Sequence, residues 1–171
     1  MSIVPSGPFV AIDFETANES PVSACALALV RVEGDRITAR WRSLIRPPTR
    51  AFTFTSIHGI AWEDVASAPS FAEVWAEVLE VFEGASFLAA HNAKFDRGVL
   101  EACCAHYRLI LPRIRYVCTV ELARATWRLP RHRLPDVCRH LRIPLAHHDP
   151  MSDAEACARI VVAAGAVRRA I

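Results

Sequence analysis

Residues 9–15, FVAIDFE, open as a nearly continuous apolar run and close on two carboxylates, the pattern of a strand buried on both faces. Two further strand-like runs follow, VSACALALVRVE (22–33) and RITARWRSLIR (36–46), joined by a Gly34-Asp35 hairpin signal. Pro47-Pro48 breaks this pattern and opens a long loop, to about residue 69, that contains SIHGI (56–60). Loops of that length in a compact domain usually carry function. Ser70 is positioned to cap a helix whose apolar residues Phe71, Val74, Trp75, Val78, Leu79 and Phe82 recur at helical spacing, with Gly84 as its stop. The remaining pattern predicts a short buried strand at 87–90, a helix over about 94–106 and a strand at 115–118. Helices follow at about 119–127, 134–141 and 152–168. Three strands followed by alternating helix and strand predict an α/β fold with a mixed sheet of about five strands, helices on both faces and one domain across 1–171, its core at about 8–168.

Composition narrows the class. Hydrophobic residues at 53% and charged residues at 22% exclude a disordered or low-complexity chain. The net charge of +2 identifies no polyanionic partner by itself, so any electrostatic footprint has to be local. Lys94 is the only lysine among the 20 basic residues, and a high-GC genome explains that bias as readily as phosphate binding does. Six cysteines without a C-x-x-C read as reduced, mostly buried thiols, not as a zinc site or disulfide framework. No secretion signal or membrane-length apolar run is present, and the expectation is a cytoplasmic protein without a membrane partner.

Three clusters carry candidate chemistry, and each has an ordinary explanation when taken alone. Alternation along the first strand sets Asp13 and Glu15 on one face and Phe14 on the other. The pair suits either a solvated strand end or Mg²⁺ or Mn²⁺. In HNAKFD (91–96), Asp96 falls in the first turn of a helix, where the macrodipole favours an anion. Phe95 there reads as a core anchor and Asn92 as a turn residue. In HHDPMSDAEA (147–156), Ser152 and Glu155 form a capping-box pattern that places Asp153 in the first turn, while His147 and His148 read as a loop pair or as the source of a general base.

The ordered set Asp13, Glu15, Asp96, His148 and Asp153 resembles the DEDDh (DnaQ-like) family of 3′-to-5′ exonucleases. VAIDFETAN, SIHGI, AHNAKFD and HHDPMSDAEA carry the resemblance, which runs from Phe9 to about Ala164. It is similar to small bacterial exonucleases related to the epsilon subunit of DNA polymerase III and to RNase T. Pro150 departs from the alanine frequent in relatives and would stiffen the segment holding His148.

The resemblance implies a ribonuclease H-like fold and two Mg²⁺ (or Mn²⁺) ions held by Asp13, Glu15, Asp96 and Asp153. It implies His148 as general base and release of nucleoside 5′-monophosphates from single-stranded 3′ ends. Phe14, Thr16, His58 and Asn92 would contact substrate or order the site, with the Thr16 backbone toward the terminal sugar and His58 near the last base. Nine arginines between 108 and 142 suit either a phosphate-binding flank or solvated helix faces. DNA against RNA, and pairing of two chains, stay open. Two other readings compete: a proofreading subunit docking on a DNA polymerase, and an inactive nucleic-acid-binding module. An epsilon-type partner tail would have to follow the last helix, and the sequence ends at Ile171, so a stand-alone enzyme is the expectation.

Overall fold

A computed structural model of the chain describes residues 6–169. Strand β1 (Phe9–Thr16) lies at the centre of a five-stranded sheet, flanked by β2 (Ala24–Glu33) and β4 (Phe87–Ala90). The edges are β3 (Arg36–Leu44) and β5 (Arg115–Cys118), giving the order β3-β2-β1-β4-β5. The first three strands form an antiparallel meander, whereas β4 and β5 run parallel to β1, so the sheet is mixed as expected. Gly34, at φ 61°, makes the hairpin turn between β2 and β3, where a side chain at that position would be strained.

Helices cover both faces because β1 is apolar on both. Val10, Ile12 and Phe14 pack with helices α3 (Phe71–Val78) and α4 (Ala93–His106) on one side. Phe9 and Ala11 pack with α5 (Thr119–Thr126), α6 (Leu134–Leu141) and α7 (Pro150–Arg169) on the other. Ser70 caps α3 as its sequence suggests: the hydroxyl accepts from the Glu73 amide, and the Glu73 carboxylate accepts from the Ser70 amide at 2.7 Å. A 3₁₀ turn over Leu79–Phe82 then completes the apolar stripe. All six cysteines are unbridged. No helix among the described residues is long and apolar enough to cross a membrane.

Three local expectations change. The loop after Pro47-Pro48 contains two single-turn helices, α1 (Thr55–His58) and α2 (Trp62–Val65), too short to leave a periodic signature. The last helix begins at Pro150, not Ser152. Proline suits the first helical position, and Asp149 supplies the cap by accepting from the Ser152 amide at 2.8 Å. The Ser152–Glu155 capping box therefore does not form: the Ser152 hydroxyl accepts from the Ala146 amide at 2.8 Å, and Glu155 turns to Arg40 and Arg159. Residues 170 and 171 lie outside the described residues, so the distal limit of the 1–171 domain does too.

Candidate active site

Asp13 and Glu15 leave the central strand on the α7 side, opposite Ala28 and Ala26 of β2. The strand register shifts between Glu15 and Thr16, a local irregularity of the kind that re-aims side chains near sites. Asp96 arrives from the first turn of α4, 1% exposed, and its Oδ1 accepts from the Phe14 amide at 3.0 Å. Asp153 arrives from the first turn of α7, 4% exposed. Its Oδ2 accepts from the His148 amide at 3.1 Å and from His147 Nδ1 at 2.9 Å. Three segments distant in sequence thus meet at the carboxyl ends of parallel strands β1 and β4, the usual place for a site in such sheets.

The acids are held against their electrostatic preference. Burial, reinforced by Asp96, Asp153, Glu15 and Asp149, pushes the Asp13 carboxyl well above the ordinary carboxylate range. Burial lifts Asp96 to about 8 despite the Phe14 amide, and burial with the charges of Asp153 and Asp149 lifts Glu15 to about 7. Asp153 is raised by burial as well, with the two histidines opposing. Asp13 Oδ2 and Asp153 Oδ1 are shut off from solvent and have no hydrogen-bond partner. Buried carboxylate oxygens without donors are costly, and divalent cations are the partners that such an all-oxygen set accommodates.

The histidines divide their tasks. The rings of His147 and His148 stack with centroids 3.8 Å apart. His147 is pinned to Asp153, whereas His148, in a left-handed backbone conformation at φ 69°, contributes its amide to that carboxylate and not its ring. Burial and the neighbouring His147 lower the His148 pKa, so its ring is neutral at pH 7. His58 accepts the Ile60 amide at Nδ1 (3.1 Å), which leaves Nε2 to donate to the Thr16 carbonyl at 3.0 Å. That bridge ties the SIHGI segment to the end of β1.

A cleft of about 280 Å³ joins Asp13, Glu15, His148 and Asp153 with Thr16 and His58. Phe14 also lines it, with its ring buried in the opposite layer near Phe71, 6.3 Å between centroids. Asn92 does not line this cleft. It is exposed, in a left-handed conformation at φ 70°, without a side-chain cap bond, and borders an adjoining pocket with Phe54 and Lys94. Its neighbour His91 lines the cleft instead, bonded through Nδ1 to the Thr119 hydroxyl at 2.8 Å and held by burial at a pKa of about 4. The core-anchor expectation for Phe95 fails: the residue is 43% exposed and, with Ile57 at 48%, lines the cleft. Helical spacing alone hinted at this, since Phe95 directly precedes the buried Asp96 and must turn away from that face. His147, His91, Ile57, Phe54 and Leu134 in the cleft, and Asp149 beside it, are residues that motif spacing did not assign.

Acids converging on the central strand of a mixed sheet, with a histidine pair at the start of the last helix, define an α/β nuclease architecture of the ribonuclease H-like kind. Similarity to known proteins agrees. A family model described as "Exonuclease" matches residues 10–161, and the chain belongs to that DnaQ-like 3′-5′ exonuclease family. A DNA polymerase III PolC-type from Oceanobacillus iheyensis is 36% identical over 154 residues, covering 86% of this chain and 11% of the polymerase. The chain therefore spans about a tenth of the length of such relatives. The nuclease domain of 3′hExo, a DEDDh family member bound to rAMP, shares the fold with a TM-score of 0.78 at 22% identity, covering 92% of this chain and 90% of that one. E. coli Exonuclease I in complex with a dT13 oligonucleotide does so with a TM-score of 0.81 at 16% identity, covering 96% and 42%.

Proposed function

We propose that this chain is a divalent-metal-dependent 3′-to-5′ exonuclease that hydrolyses terminal phosphodiesters of DNA, with RNA as the other candidate substrate, and releases nucleoside 5′-monophosphates. The carrying observation is the pair of solvent-excluded, partnerless oxygens, Asp13 Oδ2 and Asp153 Oδ1, inside a cluster of acids whose pKa values are all raised. Asp13, Glu15, Asp96 and Asp153 would hold two Mg²⁺ or Mn²⁺ ions. When bound, such ions neutralise the acids, acidify the attacking water and stabilise charge on the leaving oxygen.

The remaining work falls to the chain. His148, neutral at pH 7 and with its ring uncommitted, takes the proton of the attacking water. The water oxygen bonds to phosphorus, the P–O3′ bond breaks, and the departing 3′ oxygen takes a proton from solvent. His147 holds Asp153 Oδ2 and so orients that carboxylate. Ile57 and Phe95 offer exposed apolar surface beside the cleft against which a terminal base packs. His58 keeps the Thr16 carbonyl and the SIHGI segment in place beneath it. Likeness to PolC-type polymerases favours a replication setting, with a DNA polymerase as partner. Capture of that polymerase on the immobilised chain tests this.

The direct test incubates 5′-labelled single-stranded DNA and matched RNA with the protein in Mg²⁺, Mn²⁺ or EDTA, with Asp13→Ala in parallel. Metal-dependent shortening from the 3′ end, absent in the variant, is the expected outcome and shows which sugar is preferred. Intact substrate under every metal condition overturns the activity and leaves the binding-module reading.

A further inference from the structure

The edge strand β3 is exposed along most of its length, and its arginines are aligned with the candidate active site. Across the sheet, Asp13 stands opposite Ala28, and Ala28 stands opposite Arg42, so acid and arginine share one face with only a methyl group between them. A second trough, about 450 Å³, opens there: Ala26 lies in its floor, Arg42 on one wall, and His58 and His148 on the side it shares with the catalytic cleft. Two residues back on the same face of β3 stands Arg40, which bonds Glu155 of α7 at 2.8 Å. Arg159, one turn further along α7, bonds the same Glu155 at 2.6 Å. Both arginines line a groove of about 590 Å³, as do Arg36 and Arg142.

Five exposed arginines thus line or border the trough and the groove against three carboxylates, Glu155, Asp35 and Asp149, in a chain whose net charge is only +2. Glu155 neutralises at most one of the two arginines it bonds. No carboxylate among the described residues lies within ion-pair distance of Arg36, Arg42 or Arg142. From Arg42 to Arg36 the strand runs about 20 Å at ~3.3 Å per residue; a register shift at Thr38 turns Arg36 opposite Glu33, off the face that carries Arg40 and Arg42, although Arg36 still lines the groove. That length matches about six stacked nucleotides at ~3.4 Å each, and fewer in a stretched strand.

We propose that the Arg42, Arg40, Arg159, Arg36 and Arg142 series is a phosphate track that holds the single-stranded nucleic acid upstream of the scissile bond. The proposal rests on the exonuclease reading for its polarity. The arginine-rich stretch 108–142 contributes to this track through Arg142; Arg133 and Arg139 are instead engaged by Asp136.

The test measures binding of a fluorescent 20-nucleotide oligo(dT) by anisotropy in EDTA, which needs no turnover. The parent is compared with the triple variant Arg36→Glu/Arg42→Glu/Arg142→Glu, and with a control carrying the same charge change off the track, Arg113→Glu/Arg124→Glu/Arg128→Glu. Circular dichroism checks that each is folded. The track variant is expected to bind at least tenfold more weakly, with the log–log salt slope reduced by about 2, as three lost phosphate contacts require. The control is expected to lose no more than about threefold. Equal binding by parent and track variant, or an equal loss in the control, overturns the track. Hydrolysis of thymidine 5′-p-nitrophenyl phosphate in Mn²⁺, run alongside, reads the catalytic reading separately. If the parent fails to turn over this ester while the binding loss persists, the activity is at fault and the track stands.

Discussion

Asp153 and Glu155 sit two residues apart on the same helix and have opposite fates. Glu155 faces the edge of the sheet, bonds two arginines and has its pKa lowered by those bonds, Arg40 first. Asp153 faces the central strand, is 4% exposed, and has its pKa raised by burial, with one oxygen lacking any donor. The first arrangement is what stability alone selects, since an ion pair at a partly exposed site is mildly favourable. The second is tolerated only where something outside the folded chain completes it, because a buried carboxylate without a partner destabilises. The difference separates the ion-paired carboxylates of this protein from the proposed metal-holding ones more clearly than sequence motifs do.

The comparison breaks most visibly at the buried acids. Asp13→Ala and Asp153→Ala are expected to lower exonuclease rate by at least about 10³-fold, while Asp153→Asn leaves the metal-free melting temperature unchanged or raises it. A matched assay and melting curve checks both, and a variant as active as the parent sinks the site assignment. His148→Ala is expected to cost about 10²-fold in turnover, with a smaller change in Mn²⁺ affinity measured by calorimetry.

The same contrast has a pH signature. Glu15 at about 7 and Asp96 at about 8 hold protons in the folded state that the unfolded chain releases near pH 4. The folded, metal-free protein therefore binds more protons between these limits. Its stability is fullest at low pH and declines as pH rises through about 7 to 8, by up to about 1.4 kcal/mol per pH unit for each proton held. Melting curves from pH 5 to 8.5 are expected to show this decline in EDTA and its loss in saturating Mg²⁺ or Mn²⁺. A flat profile in EDTA contradicts the strained-acid description. The smallest effect belongs to the outer carboxylate: Glu155→Gln is expected to cost no more than about 1 kcal/mol by denaturant titration and to tighten oligonucleotide binding, since it frees Arg40 and Arg159.

Much of the fold was legible because burial imposes period. The run 9–15, the Gly34 hairpin and the Ser70 cap each express a local rule, and strands and helices formed close to where those rules place them. The one-turn helices near SIHGI were not legible, because four residues do not complete a periodic pattern. At the site, residue type and chain order pointed to Asp13, Glu15, Asp96, His148 and Asp153, and the structure brings all five to one end of the sheet. Phe95 departs from the core-anchor expectation because apolar character does not say which way a helix turns, and its exposure follows from Asp96 taking the inward face.

What the sequence determined by itself is therefore the order of elements and the identity of the acids, since both are written in local spacing. Only the tertiary structure decided which carboxylates are paired and which are stranded, that the ring of His147 and only the amide of His148 bonds Asp153, and that Arg42 shares a face with Asp13 across two strands. Those outcomes depend on register and on burial, and both arise from contacts between residues far apart along the chain.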